Sequence, residues 1–117
     1  MKTSDAQEIF EQKMKVMRAR FVCSLDQRAM EIELCMDQLS EPSRLLEVSK
    51  EVALLAHKLK GTSMTLGLDR LGNIAKDLEW TGLKNQGTKS EYAELLTGKA
   101  RALIREIRRI RRSEIRM

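Results

Sequence analysis

The sequence has few of the residues that build sheets, disulfide frameworks or membrane spans. Aromatic residues make up 3% of its 117 residues, and there are one proline and two cysteines. Runs of β-branched and aromatic residues, which favour strands, are nearly absent, whereas residues that favour helices dominate. No apolar run approaches the roughly 20 residues of a membrane-spanning helix. These absences indicate an all-α protein without a transmembrane segment.

Length and composition indicate a single domain that covers residues 1–117. With 42% apolar and 33% charged residues, the chain can bury one core and remain in solution. The N-terminal sequence MKTSDAQE lacks the apolar segment of a signal peptide, so we expect a cytoplasmic location.

The cysteines indicate neither a disulfide nor a metal site. Cys23 and Cys35 fall in one predicted helix, roughly 18 Å apart at 1.5 Å per residue, which is too far for a disulfide. No Cys-x-x-Cys pair or cluster of histidine and cysteine is present. We expect two core thiols in a reducing compartment, and no bound metal.

The net charge of +5 is concentrated at the end of the chain. Residues 99–117 hold eight lysine and arginine residues against two glutamates, a net charge of +6, so the rest of the chain carries −1. Such a helix is typical of the outer face of a bundle, and its charge can also attract acidic protein surfaces or nucleic acid. Because aromatic residues are scarce and no recognition motif is visible, we do not expect nucleic-acid binding.

Apolar residues recur every three or four positions over residues 4–39, which predicts a first helix with Ser4 as its candidate N-cap. The stripe consists of Phe10, Met14, Met17, Phe21, Leu25, Ile32, Met36 and Leu39. One straight helix of that length would span roughly 50 Å. Two arrangements remain open: a single helix, or a short capping helix before a longer one, with the break between Met17 and Cys23.

A second and a third helix follow. Pro42 suits the first turn of the second helix, which should run to Leu66 and end at a left-handed Gly67. The third helix is predicted from Asp69, its candidate N-cap, to Leu83.

The last helix follows a turn at residues 84–87. Thr88 and Glu91 have the spacing of a capping box, and the helix should run to Ser113. Four amphipathic helices with short connections predict an antiparallel four-helix bundle.

The only histidine, His57, points away from the core on the second helix. The core face of that helix, at 100° per residue, comprises Leu45, Val48, Val52, Leu55, Leu59 and Leu66. His57 lies roughly 165° from the centre of this face, on the same side as Gly61, Lys50, Leu54 and Met64. An exposed apolar patch around a polar group is typical of a docking surface. Lys50, Leu54 and Met64 are therefore the candidate docking residues.

The neighbours of His57 suit phosphate chemistry. Gly61, one helical turn on, opens an approach to the imidazole, and Lys60 can place an ammonium beside an anion held there. An imidazole is substantially neutral at cellular pH, so its nitrogen can act as a nucleophile. In phosphoryl transfer the protein contributes mostly positioning and charge stabilisation.

This part of the sequence resembles the histidine-containing phosphotransfer (HPt) domains of bacterial phosphorelays. The matching residues are His57-x-Leu59-Lys60-Gly61-x-Ser63-x-x-Leu66-Gly67, followed by Leu71, Leu78 and Glu79 on the next helix. Every position of the first element fits the family pattern. The second element departs from it at Ala75, where cysteine is frequent, and we interpret this as a packing substitution.

The resemblance implies roles around His57, whereas Ser63 falls toward the core face and is interpreted as a packing residue. His57 would accept the phosphoryl group on Nε2, Lys60 would contact the phosphoryl oxygens, and Gly61 would keep the approach open. Glu79 would accept a hydrogen bond from Nδ1–H and so fix the tautomer of the ring. Lys58, to the side on the wheel, would support the phosphate site.

The resemblance also implies response-regulator receiver domains and a hybrid histidine kinase as partners. The sequence has no Gly-rich nucleotide loop, no cluster of acidic metal ligands and no second histidine. We therefore expect a monomeric phosphocarrier without enzymatic activity or cofactor of its own, with Mg²⁺ bound by the receiver. Two other classes remain open: an adaptor that kept the bundle without phosphotransfer, and a nucleic-acid-binding protein that uses the basic last helix.

Overall fold

The protein is an antiparallel four-helix bundle, as predicted, in a computed structural model that describes residues 2–85 and 87–115. The helices are α1 (Lys2–Asp37), α2 (Leu45–Thr65), α3 (Asp69–Lys84) and α4 (Lys89–Ile115), with short 3₁₀ turns at Gln38–Ser40 and Pro42–Arg44. α1 and α3 each contact both α2 and α4, so the helices follow one another around a shared core. The described ranges contain no strand.

α1 is one unbroken helix of 36 residues, so the alternative with a separate capping helix is wrong. It is about 54 Å long, against about 32 Å for the 21 residues of α2. Its fully buried residues begin only at Phe21, and before them the half-buried Met14 packs against the core. The first turns of α1 therefore extend past the end of the bundle, and the molecule measures 61 Å along its longest axis.

Two predicted helix starts and one predicted N-cap differ from the structure. α1 begins at Lys2, so Ser4 is not its N-cap. Pro42 begins a 3₁₀ turn, and α2 starts at Leu45. Asp69 is the first residue of α3 rather than its N-cap, and its carboxylate is placed in the first turn, where the helix dipole favours a negative charge.

The sharp turn between α2 and α3 confirms the role predicted for Gly67. Its φ of +77° is left-handed, and its N–H donates to the carbonyl of Met64 at 3.2 Å. The N–H of Leu68 donates to the carbonyl of Ser63 at 2.8 Å, which completes a Schellman motif. This turn brings the start of α3 back along the end of α2.

The connection to α4 is also fixed by polar contacts, although Gln86 lies outside the described residues. The N–H of Glu91 donates to Oγ1 of Thr88 at 3.1 Å, which confirms Thr88 as the N-cap. The buried hydroxyl of Tyr92 donates to the carbonyl of Gly82 at 2.8 Å and ties α4 to α3.

The cysteines differ from the prediction of two core thiols. Both are free, but Cys23 is exposed and only Cys35 is buried. The Cys35 thiol donates to Oε2 of Glu51 at 3.3 Å. Burial, together with this carboxylate, raises the pKa of Cys35 to about 11, so it stays protonated at neutral pH.

Candidate functional site

His57 lies on the outer face of α2, as the helical wheel predicts. Its side chain is 61% exposed. The opposite face is packed against the other helices: five of the six predicted core residues are buried and Leu55 is half-buried. Ser63, interpreted as a packing residue, is buried too. The exposed imidazole is therefore available to a partner.

Glu79 of α3 joins His57 and Lys60 through its two carboxylate oxygens. Oε2 lies 2.6 Å from Nδ1 of His57, and Oε1 accepts a hydrogen bond from Nζ of Lys60 at 2.7 Å. The Glu79 side chain is only 16% exposed, so these contacts replace most of its water. The structure thus brings together three residues that lie 19 to 22 positions apart in the sequence.

The charge state of Glu79 determines which nitrogen of His57 carries the proton. The hydrogen bond from Lys60 and then that from His57 lower the pKa of Glu79, and burial opposes this effect only partly. An ionised carboxylate only accepts hydrogen bonds. Nδ1 of a neutral His57 must therefore be the N–H donor, which leaves the lone pair on Nε2.

Two glycines of α3 lie where that helix packs against α2. A Cβ at Gly82 would lie 2.8 Å from the backbone oxygen of Ser49, and one at Gly72 would lie 2.8 Å from Sδ of Met64. A larger residue at Gly82 would push the two helices apart, whereas one at Gly72 would displace the flexible side chain of Met64. The sequence analysis did not identify these glycines. Their position on the same face of α3 as Leu71 and Ala75 could have indicated close packing there.

A groove of about 510 Å³ lies beside His57, between α1 and α2. Its lining consists of Met17, Arg20, Phe21, His57, Lys58, Gly61, Thr62, Thr65 and Leu66. A Cβ at Gly61 would meet nothing within 4 Å, so this glycine leaves open space beside the imidazole. Lys58 lines the same groove. The three residues from α1 were not predicted, because a wheel of one helix does not show which face of α1 lies beside α2.

The candidate docking residues are exposed, but none of them lines that groove. Leu54 is 56% exposed and Lys50 is also exposed. Met64 is 39% exposed, with its sulfur placed over Gly72 of α3. The sequence analysis missed Trp80, which is 62% exposed next to Glu79 and has the Lys84 ammonium 4.2 Å from its ring centroid.

Cations of the basic last helix pair with acids of the same chain. Arg108 contacts Glu33 at 2.8 Å, and Arg111 contacts Asp26 at 3.2 Å, both across to α1. Lys99 pairs with Asp77 of α3 at 3.3 Å. These pairs favour the interpretation of α4 as an ordinary outer bundle helix over a nucleic-acid-binding surface.

Neither a metal cluster nor a membrane-spanning helix is found among residues 2–85 and 87–115. Those residues include no group of three or more His, Cys, Asp or Glu side chains arranged to hold a metal ion. None of the helices in the described part of the chain combines the length and the apolar character that crossing a membrane requires.

Comparison with known proteins gives one result. The family model of the Hpt domain matches residues 17–113, which include every residue of the His57 site and exclude the first turns of α1. Comparisons with curated proteins and with solved structures each gave no significant match. The chain belongs to the Hpt domain family, whose members are phosphocarrier modules of histidine phosphotransfer in two-component signalling, with receiver domains as partners.

Proposed function

We propose that Nε2 of His57 accepts a phosphoryl group from the aspartyl phosphate of one receiver domain and passes it to the aspartate of another. The observation that carries this proposal is the 2.6 Å contact between Nδ1 of His57 and the ionised Glu79. It leaves a lone pair on the exposed nitrogen of the ring. An adaptor would need neither this orientation nor the open groove.

The transfer step balances without a further reactant. The Nε2 lone pair attacks phosphorus, an N–P bond forms, and the P–O bond to the aspartyl oxygen breaks. The aspartate leaves as a carboxylate with the bonding electron pair. Nδ1 keeps its proton, so positive charge develops on the ring, next to the negative charge of Glu79. Transfer to the second receiver is the reverse reaction.

The residues around His57 have separate roles in the transfer. Lys60 holds Glu79 in place and keeps it ionised, and its ammonium adds positive charge beside the phosphoryl oxygens. Gly61 leaves room for the partner's loop, and Lys58 provides a second cation in the groove. In this mechanism Glu79 is a positioning residue, because it acts through the imidazole.

The rest of the phosphorelay lies in the partners. Mg²⁺ and the reacting aspartate would be supplied by the receiver domains, and a hybrid histidine kinase would be the original source of phosphate. We therefore propose that the protein acts in the cytoplasm as a carrier that receives its phosphate from these partners.

The test is incubation with a receiver domain that carries labelled phosphate. We expect label to appear on the wild-type chain in an acid-labile and base-stable form, and none on His57→Gln. The free energy of unfolding of that variant should lie within about 0.5 kcal/mol of the wild-type value, because the side chain is exposed. An unlabelled wild-type chain that still binds the receiver would indicate an adaptor.

The docking surface around His57 can be tested separately at Leu54. A partner that covers this leucine gains roughly 1 to 3 kcal/mol, so Leu54→Glu should weaken receiver binding about tenfold or more. Leu95→Glu, at a leucine of α4 that is 51% exposed, is the matched control. Met64 is a poorer probe, because it also packs against Gly72. If Leu54→Glu and Leu95→Glu bind the receiver domain equally well, the docking surface lies elsewhere.

A further inference from the structure

The first turns of α1 carry an apolar surface that the bundle does not use. We call residues 5–20 the arm; all of them are exposed except Met14, which is half-buried against the core. Ile9, Phe10, Val16 and Met17 are each between 49% and 63% exposed. The Hpt family match begins only at Met17. Met17 is thus inside the family match and also lines the groove beside His57, whereas Ile9, Phe10 and Val16 precede the part of the chain that defines the family.

These four side chains lie on one side of the arm. At 100° per residue they occupy an arc of about 120°, whose centre is turned about 110° away from the core-facing residues of α1. The arc therefore faces sideways into solvent and is accessible to another helix. Single exposed apolar residues are ordinary, but four in one arc form the kind of patch that marks an interface.

The charges of the arm are separated along its length. Its first half carries Asp5, Glu8 and Glu11 and no cation, whereas its second half carries Lys13, Lys15, Arg18 and Arg20 and no acid. A parallel copy would place like charges side by side. An antiparallel copy would place the acidic half of each arm against the basic half of the other. Because the pair is symmetric, this favourable contact occurs twice.

We propose that two copies of this chain associate through their arms, which cross antiparallel near Lys13 with the four apolar side chains between them. Phe10 of one copy then lies near Met17 of the other. Lys13 lies close to its own symmetry mate, where its stem can follow the apolar arc while the ammonium remains in water. The repulsion between these like charges lowers the affinity of the two copies for each other.

The size of the contact also makes the pair weak. The 16 residues of the arm span about 24 Å, so two of them bury less surface than the roughly 1,600 Å² of a standard stable complex. We therefore expect a concentration-dependent dimer in place of the monomer expected from the sequence. The arm includes Met17 and Arg20, which also line the groove beside His57, but the association makes no bond to Nε2 and its tests need no phosphate.

The first test is sedimentation equilibrium of the full chain from about 10 µM to about 1 mM, the range of weak association. Wild type should shift from monomer to dimer across this range. Phe10→Glu should raise the dissociation constant at least tenfold, whereas Leu34→Glu, at an equally exposed leucine later in α1, should not change it. A wild-type chain that stays monomeric at 1 mM overturns the proposal. If Phe10→Glu then weakens receiver binding instead, the arc is part of the receiver interface.

The second test reverses charges in each half of the arm. The double variant Glu8→Lys/Glu11→Lys makes both halves basic, and Lys15→Glu/Arg18→Glu makes the second half net neutral with two acids. Each variant alone should dimerise less than wild type, while an equimolar mixture should recover a heterodimer. Circular dichroism of each variant verifies that the helix remains. A mixture that associates no better than the single variants overturns the antiparallel pairing.

Discussion

Two glutamates in this bundle are bound by cationic side chains in the same way but have different roles. Glu79 of α3 is bound by His57 and Lys60 of α2, and Glu106 of α4 is bound by Arg70 of α3 and by Arg109. Both carboxylates are largely withdrawn from water, with side-chain exposures of 16% and 3%. In both, hydrogen bonds from the cationic partners lower the pKa. The electrostatics of the two clusters are therefore closely similar.

The clusters differ in the chemistry of the partner side chains. Arginine stays protonated at any physiological pH and has no lone pair to offer, so the cluster of Glu106 can only hold α3 and α4 together. A neutral imidazole that donates one N–H to Glu79 still has a nucleophilic nitrogen on its other side. A buried ion pair thus becomes a reactive site when one cation is replaced by an exposed histidine.

The largest expected effect comes from breaking the first cluster. Glu79→Gln removes the charge that stabilises the developing imidazolium, and Lys60→Ala removes the cation that orients Glu79. We expect each to slow transfer by roughly one hundredfold, as for the loss of one oriented stabilising group. Rapid-quench measurement of label transfer from a receiver gives the rates. Glu106→Gln is the matched control in the second cluster and should transfer at the wild-type rate.

The pH profile of transfer separates a positioning role from a merely structural one. Without Lys60, the largest cause of the lowered pKa of Glu79 is lost. The acid limb of the transfer rate should therefore move to higher pH in Lys60→Ala, while thermal unfolding at neutral pH changes little. A profile that keeps its wild-type shape would mean that Lys60 acts only on the phosphoryl group.

Breaking the second cluster should affect stability instead of transfer. The pKa of Glu106 is lowered from its ordinary value of 4.5, with Arg109 as the first cause. Its ionised form therefore stabilises the fold fully above pH 4.5, and this contribution is lost as the pH falls through the lowered value. Glu106→Gln should cost roughly 1 to 3 kcal/mol at pH 7 and less at pH 3. Urea denaturation at both pH values measures this, and an equal cost at both would refute the charge-based account.

The sequence predicted the bundle because the fold depends on patterns within single helices. Gly67 with its left-handed φ and the Thr88 cap are local signals that are found where they were predicted. The apolar stripe of α1 enters the core from Phe21 onward, whereas its first members Phe10 and Met17 are exposed. The continuity of α1 was not predictable in the same way. Nothing in residues 17–23 breaks a helix, but an exposed arm gains little from packing, and periodicity alone does not decide between the two arrangements.

The site was predictable to the extent that it lies on α2. The outward direction of His57 follows from the wheel, and the resemblance to HPt domains supplied Glu79. The groove also requires Arg20 and Met17 of α1, which depend on how two helices are rotated against each other. No spacing in the sequence encodes that rotation. The closeness of α3 depends on Gly82, whose small size matters only because the backbone of Ser49 lies opposite it.

A second difference between the clusters is the glycine beside His57, and it gives the smallest expected effect. A Cβ at Gly61 would meet nothing within 4 Å in the free chain, so Gly61→Ala should raise the stability of α2 by up to about 1 kcal/mol. Gly98, in the middle of α4, is equally open, so Gly98→Ala should be stabilising by a similar amount.

The two glycine variants should differ only when a partner is present. The methyl group at position 61 lies in the groove and obstructs the approach to Nε2, so we expect transfer to slow several-fold in Gly61→Ala and to stay unchanged in Gly98→Ala. Thermal unfolding and label transfer, measured on both variants, separate the two consequences. If Gly61→Ala is more stable and transfers as fast as wild type, the open space beside His57 is not needed for the approach of a receiver, and the difference between the two clusters reduces to the histidine alone.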